Sequence, residues 1–573
     1  MVKRFSMLAL AGLIALPALA SASAGPNAND LERKIEELSL QLDQLKSAMA
    51  KQGENTVSKS DFTDLADTVE SLDERSEAWD LSSRFSFYGD FRARLDSLDA
   101  KSASAYSAGD VAGGMVTALT APSPSGFGMT LPITTAELQG AMANVYAMAP
   151  TAAERAGMFA MLGVTPTAAS DFNNDTVFTN RFRLNMRVQA TEGIEFKARL
   201  AMYKAWGMQS NPTAEAGGPY TMDSFSWDGN TTRQPGTSAL YVDRAFLNWN
   251  NIGGNPVWFS IGRRPTTDGP PAHIRMGSST RLATPVSVMD YPFDGISVGY
   301  AYRWGNEDMG TGRIRFCYGR GFDAGVETDG TGLNDMDFAG LSWDVMKKGN
   351  RFLNVQSFMA YNLVNTPDGV TFQNPFEMAG IFEGNGILDK ANLGDIMHTS
   401  AVYHDKIGNI NYYGSAAWSR TMPKGYDEVG NSLLGSWWAP EEDQDGYMIQ
   451  VGARYDIDNM GLKLGAEYNQ GSEYWVSMSP GHDDLYNSKL ATRGNVVELY
   501  GIYDIPAGPA VSKFGSAFIR FGYQHYEYDY TGSGSWLGAP VDLDDLTSDP
   551  FNAQFFAPIE SQDQFYVTFE ATF

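Results

Sequence analysis

The chain has one cysteine, Cys317, in 573 residues. That excludes an internal disulfide framework, haem attachment through C-x-x-C-H and any multi-cysteine metal site. Long apolar runs are almost as scarce. The only one spans residues 5–20, too short for a comfortable helical crossing, and with a mean hydropathy of -0.28 the chain is not a bundle of membrane helices. Histidine is limited to His273, His398, His404, His482 and His525, with no H-E-x-x-H or comparable ligand spacing. There is no G-x-S-x-G elbow and no phosphate-cradling loop. Catalytic residues, a resident metal and a cofactor are therefore not expected. Positive charge is in deficit too: 42 Lys and Arg against 68 Asp and Glu leave a net charge of -26, so nucleic acid is not an expected partner.

What the chain does have begins with Lys3 and Arg4 before the apolar run and Ala22-Ser23-Ala24 after it. A basic region, an apolar region and an A-x-A site predict a secretory signal peptide over residues 1–24. Residues 25–81 follow a different rhythm. Leu31, Ile35, Leu38, Leu42, Leu45 and Met49 step by four and three, and Phe62, Leu65, Val69, Leu72, Ser76 and Trp79 repeat the pattern, which predicts a coiled coil. Ser60 or Asp61 stands where a second helix would be capped. Helices this short are marginal alone; oligomerisation would bury the seam, and a helical hairpin folded on itself is the alternative.

From residue 82 the period drops to two. In the run from Arg84 to Leu95 every odd position is apolar or glycine, while the even positions carry Arg84, Asp90, Arg92 and Arg94. Such alternation makes a strand with one apolar face and one wet face. Sixteen segments of this kind are predicted, at 84–96, 178–190, 194–206, 238–249, 256–264, 293–304, 312–320, 335–346, 351–362, 395–403, 408–419, 445–457, 461–472, 494–504, 514–528 and 563–573. Most are close to the roughly 9–11 residues of a tilted bilayer-crossing strand. Connections after even strands are short, such as Thr191-Glu192-Gly193 and Asp458-Asn459-Met460-Gly461, and those after odd strands are long. Transmembrane barrels show this asymmetry, with tight periplasmic turns and large external loops. The expected fold is thus all-β: a transmembrane antiparallel barrel of about 16 strands over residues 82–573, preceded by a short helical coiled-coil segment. Trp249, Trp304, Trp343, Tyr403, Tyr455, Tyr503 and Phe573 fall near strand ends beside short turns and are expected to form the periplasmic aromatic girdle.

The last strand, Phe565-Tyr566-Val567-Thr568-Phe569-Glu570-Ala571-Thr572-Phe573, resembles the closing strand of bacterial outer-membrane proteins. That resemblance implies recognition of the terminal Phe by the barrel-assembly machinery. The region 82–573 resembles sixteen-stranded porins, and Val257-Trp258-Phe259-Ser260-Ile261-Gly262-Arg263-Arg264 is similar to the porin segment leading into the constriction loop. The N-terminal coiled coil, Phe293-Asp294-Gly295-Ile296 and Gly319-Arg320-Gly321-Phe322-Asp323 resemble a little-characterised family of porin-like proteins. Membership implies the fold and almost nothing about the solute. The first external loop, about 97–177, is longer than in typical porins.

In a barrel of this size the inward residues set what passes. The early strands point Arg84, Arg92, Arg94, Arg181, Arg183, Arg187, Lys197, Arg199, Arg244, Arg264, Arg313 and Arg315 inward; later strands mix Arg454, Lys463 and Arg520 with Glu467, Glu498 and Glu570. Two readings stay open. The ladder prefers anions, or it is the basic wall that faces acidic groups on an inward-folded third loop. That loop, expected to narrow the pore over 265–291, carries Asp268, His273, Arg275, Arg281 and Asp290. The acidic run from Glu441 to Gly446 is no calcium loop, because its twelfth position is Gly452. Function is expected to be passive diffusion of small hydrophilic solutes through an outer-membrane channel, with no enzymatic activity. Outer-membrane lipid surrounds it, the coiled coil lies in the periplasm and reaches peptidoglycan, and the assembly is a homotrimer. The rival is a structural tether or adhesin with a plugged barrel. Thr134 and Glu137 have capping-box spacing before an Ala- and Met-rich run, so a helix of the first loop would supply the plug.

Overall fold

The computed structural model describes residues 39–40, 43–44, 84–122, 126–207, 233, 235, 238–264, 266–277, 284–326, 332–366, 373–437, 442–479, 483–485, 488–506 and 515–573. The expected signal peptide, almost all of the coiled-coil segment and Arg281 lie outside the described residues. Ser39, Leu40, Asp43 and Gln44 are helical. The chain divides into two compact units, Met1–Ser86 with Arg187–Ala190, and Phe87–Met186 with Thr191–Phe573. In the first, Arg187 is exposed and donates to Gln189 Oε1 at 3.5 Å.

Sixteen antiparallel strands close into a barrel. They are β1 (Phe85–Ser102), β2 (Asp171–Gln189), β3 (Ile194–Ala205), β4 (Tyr241–Trp249), β5 (Val257–Arg264), β6 (Phe293–Arg303), β7 (Thr311–Phe322) and β8 (Met336–Lys348). The second half comprises β9 (Arg351–Val364), β10 (Asn392–Ile407), β11 (Ile410–Pro423), β12 (Gln444–Ile457), β13 (Leu462–Gly471), β14 (Gly494–Asp504), β15 (Ser516–Tyr528) and β16 (Ile559–Thr572). Every predicted segment corresponds to one of these strands. The main differences lie at β1 and β2, which run further towards the long-loop end.

The alternation does what period-two patterning demands. On β12, Tyr447, Ile449, Val451 and Tyr455 are exposed while Met448, Gln450 and Arg454 between them are buried. On β16, Phe565, Val567 and Phe569 are exposed while Gln564, Tyr566 and Thr568 are buried. Apolar side chains such as Leu341, Leu499 and Phe565 thus stand 58, 54 and 59% exposed on the outside, a cost in water that a lipid surround removes. Closure is made at Phe573. Its N–H donates to Gly89 O at 3.0 Å, and Gly89 N–H donates to Phe573 O at 2.8 Å. Gly89 is required there, since a Cβ would lie 2.4 Å from Arg183 O and 2.9 Å from the Phe573 ring. Trp249, Trp343, Tyr455, Tyr503 and Phe573 are exposed at the short-turn end.

The β1–β2 connection folds into three helices, α1 (Ala108–Thr120), α2 (Thr135–Met148) and α3 (Ala152–Met161). The capping box at Thr134 forms as its spacing predicts: Glu137 Oε2 accepts from Thr134 N at 2.8 Å, and Thr134 Oγ1 accepts from Glu137 N at 3.3 Å. Thr151 and Glu154 make a second box. The apolar faces of these helices pack on Phe376, Ile381 and Leu388 of the β9–β10 connection and on Val429 of the β11–β12 connection. That cluster is built of connections alone, at the long-loop end of the barrel.

Candidate functional site

Two connections fold onto the inner wall, and each brings one aspartate into a ring of arginines. In the β5–β6 connection, which carries the short helix α4 (Ala272–Arg275), Asp268 adopts a φ of 60°. Aspartate tolerates this left-handed conformation better than most residues. Its carboxylate lies 3.1 Å from Arg183, 3.2 Å from Arg199, 3.1 Å from Arg233 and 3.3 Å from Arg244. Its N–H donates to Asp290 Oδ1 at 2.8 Å, and Asp290 also pairs with Arg233. Burial alone would raise the Asp268 carboxyl, but the Arg233, Arg183, Arg199 and Arg244 guanidiniums hold it well below the usual carboxylate range.

The β13–β14 connection repeats the device. Asp483, with a φ of 66°, pairs with Arg92, with Arg181 at 3.0 Å, with Arg520 at 2.5 Å and with Arg275 at 3.7 Å. Its carboxyl is likewise pulled far down against the opposing effect of burial. Arg275 joins the two connections: its Nε donates to Glu498 Oε2 at 2.6 Å and its Nη2 to Asp484 Oδ1 at 3.0 Å. Lys489 pairs with Glu467 and Glu498. Arg94 bonds Asp96 and Asp483 O and stacks 4.5 Å over Tyr566. Further along the same connection, Arg493 donates to the carbonyls of Trp475, Thr531 and Ser535 at 3.1, 2.8 and 2.6 Å. It ties this connection to the one between β15 and β16. A buried carboxylate among four guanidiniums is compensated and rigid.

The opposite stretch of wall differs. A cavity of about 390 Å³ runs along β4 to β9. Lys197, Arg244, Arg264, Arg313 and Arg315 reach it, together with Trp258, Phe338 and Phe358. Arg264 donates to Ser260 Oγ at 3.3 Å and lies 3.9 Å from Cys317 Sγ; among the described residues no carboxylate lies within ion-pair distance of it. Arg315 donates to Ser342 Oγ at 3.0 Å and stands 3.9 Å from Asp344, which Arg313 holds at 2.7 Å. Lys197 pairs with Glu195 at 2.5 Å.

The residues expected to line the channel therefore fall into three groups. Arg92, Arg94, Arg181, Arg183 and Arg199 point inward but are buried against the two connections, where they brace the connections and face no open space. Arg264, Arg313 and Arg315 border the cavity. Arg187 lies exposed near the end of β2. From the expected constriction, Asp268, Arg275 and Asp290 are buried in the ion-pair network, and the His273 ring lies 4.9 Å from that of His404 on β10, tilted by 59°. Sequence reasoning missed Asp483, Asp484, Lys489, Arg493 and Arg233. Gly481-His482-Asp483-Asp484 has the composition of a turn with paired acids, a faint signal that period counting does not register.

The sequence model of a family described as "Protein of unknown function (DUF3373)" matches residues 171–573. The chain belongs to this family. The match begins at the first residue of β2 and takes in the remainder of the barrel. No curated protein matches the chain. Among solved structures it is similar to OmpT, an outer membrane protein of Vibrio cholerae, folded in vitro in a trimer form, at 11% identity over 85% of this chain and 99% of that chain, with a TM-score of 0.35. It is also similar to Salmonella typhi OmpF in complex with daunomycin, at 10% identity over 85% of this chain and 97% of that chain, with a TM-score of 0.36.

Proposed function

We propose that this protein is an outer-membrane channel of porin type for small hydrophilic solutes, with a preference for anions. The observation that carries the reading is the unequal lumen: one side is packed by two inward connections, while the β4–β9 side keeps a cavity bordered by Arg264 and Arg315. Arg264, with no carboxylate partner among the described residues and held on a strand, attracts anions from solution. The apolar outer belt supports a lipid surround. In this reading the short turns face the periplasm, where the N-terminal segment lies after removal of the signal peptide. Its coiled-coil seam supplies a reason for trimerisation and a reach towards peptidoglycan, and Phe573 serves the barrel-assembly machinery.

Planar-bilayer recordings test this directly. Discrete conductance steps are expected, with a reversal potential in a salt gradient whose sign reports anion preference. Cation preference would remove the anion part of the proposal. Absence of conductance would favour the second reading, a plugged barrel acting as an envelope tether or surface protein, which the packed Asp483 side and the helical cap support. Crosslinking with and without residues 25–81 tests whether those residues drive trimerisation.

A further inference from the structure

The cavity along β4–β9 has two unlike walls, and neither is finished. On the polar side, Arg315 Nε and Gln356 Oε1 are buried without a hydrogen-bond partner, in side chains only 5% and 2% exposed. Both residues line the cavity, and buried polar atoms in native proteins are nearly always paired, so the polar wall has hydrogen-bonding capacity that the surrounding side chains leave unused. Arg264 adds a guanidinium with no carboxylate partner among the described residues. Asp344 neutralises one of Arg313 and Arg315, leaving the polar wall an excess of two positive charges, enough to hold a carboxylate.

The apolar side is set by register. Trp258, Gly299, Arg315, Ser342 and Gln356 are successive cross-strand partners across β5 to β9. The Trp258 ring lies flat on Gly299, where a Cβ would come within 2.3 Å of the indole. The missing side chain thus leaves room for the indole over Gly299, whose cross-strand partner on β7 is Arg315. Phe338 and Phe358 continue the apolar surface. A fully hydrated ion such as phosphate would leave these rings unused. At about 390 Å³ the cavity is at the small end of ligand pockets, which run from roughly 300 to 1,000 Å³.

We infer that this cavity is a binding site for a small monocarboxylate with an apolar, flat body, its carboxylate on Arg315 and Arg264 and its ring against Trp258. The solute class rests on the channel reading, but binding is measurable apart from conductance. The full chain, refolded in detergent, is titrated calorimetrically with benzoate, acetate, benzamide and benzylamine. Benzoate should saturate, acetate should bind about tenfold weaker or less for want of ring burial, and the neutral and cationic analogues should give no saturable heat. Arg315→Gln should weaken benzoate about tenfold or more, whereas Trp258→Leu should weaken benzoate and leave acetate unchanged. Heat-modifiable gel mobility checks that each variant is folded; the analogue series on the unmodified chain decides the matter if one is not. Benzoate binding no tighter than acetate, or unchanged by both Arg264→Gln and Arg315→Gln, overturns the inference. In bilayers, a conducting protein whose benzoate current never saturates overturns the site and keeps the channel. A silent protein that still binds benzoate keeps the site and overturns the channel.

Discussion

On β1, β2 and β15 the guanidiniums of Arg92, Arg181 and Arg520 converge on Asp483, whereas on β5 that of Arg264 meets a hydroxyl and a thiol, and on β7 that of Arg315 meets a hydroxyl, with the strand residue Asp344 at 3.9 Å. The residue type and the inward orientation are the same on both sides. What differs is whether a connection delivers a carboxylate. Where it does, arginine becomes a strut: two charges cancel, the connection is pinned and solvent is excluded. Where it does not, the same side chain keeps its field for a solute. Counting inward arginines therefore says little about selectivity until each has been assigned its partner.

The largest effect is expected from breaking the strut. Asp483→Asn removes the charge that compensates Arg92, Arg181 and Arg520, and should cost about 3–5 kcal/mol. The check is urea unfolding in detergent, with a larger single-channel conductance expected as the β13–β14 connection loosens. An unchanged barrel would erase the contrast between the two sides. Next comes a pH effect in the cap, away from either wall. Burial lifts the Asp427 carboxyl from 3.8 to about 6, although the N–H groups of Asn431 and Val429 donate to it. The folded state then holds this proton more tightly than the unfolded chain. The resulting stability is fully present below pH 3.8 and is lost as pH rises through about 6. The span amounts to about 3 kcal/mol at most. Protection factors over residues 424–437, taken after correcting each rate for the intrinsic pH dependence of amide exchange, should be higher at pH 5 than at pH 8, and Asp427→Asn should abolish that difference. The smallest effect sharpens the comparison. Arg315→Gln should shift the reversal potential by an amount equivalent to about 1 kcal/mol or less of ion preference, while Arg183→Gln should lower stability and move selectivity less. Equal shifts from both would mean that paired and cavity-facing arginines act alike.

How much of this was legible beforehand depends on which regularity carries it. The strands could be read because the pleat imposes a period of two and each side chain reports its own face. The capping box at Thr134 could be read because it is local, three residues apart. Asp268 and the β5–β6 connection were visible as an inward loop by resemblance, but not the φ of 60° or the four arginines around it. Asp483 was invisible. It lies 391 residues from Arg92 in sequence, and nothing in the residues between them encodes their meeting.

The sequence by itself determined a sixteen-strand barrel and the alternation of short and long connections, because both follow from periodicity and from spacing within neighbouring segments. Closure at Phe573 was implied by the resemblance of the last strand to those of outer-membrane proteins. Tertiary structure alone decided which arginines are neutralised. Ion pairing across a lumen depends on where two aperiodic connections come to rest, and their paths are set by packing such as that of Trp475, Val286 and Leu490 against Ala417 and Met448 of the wall.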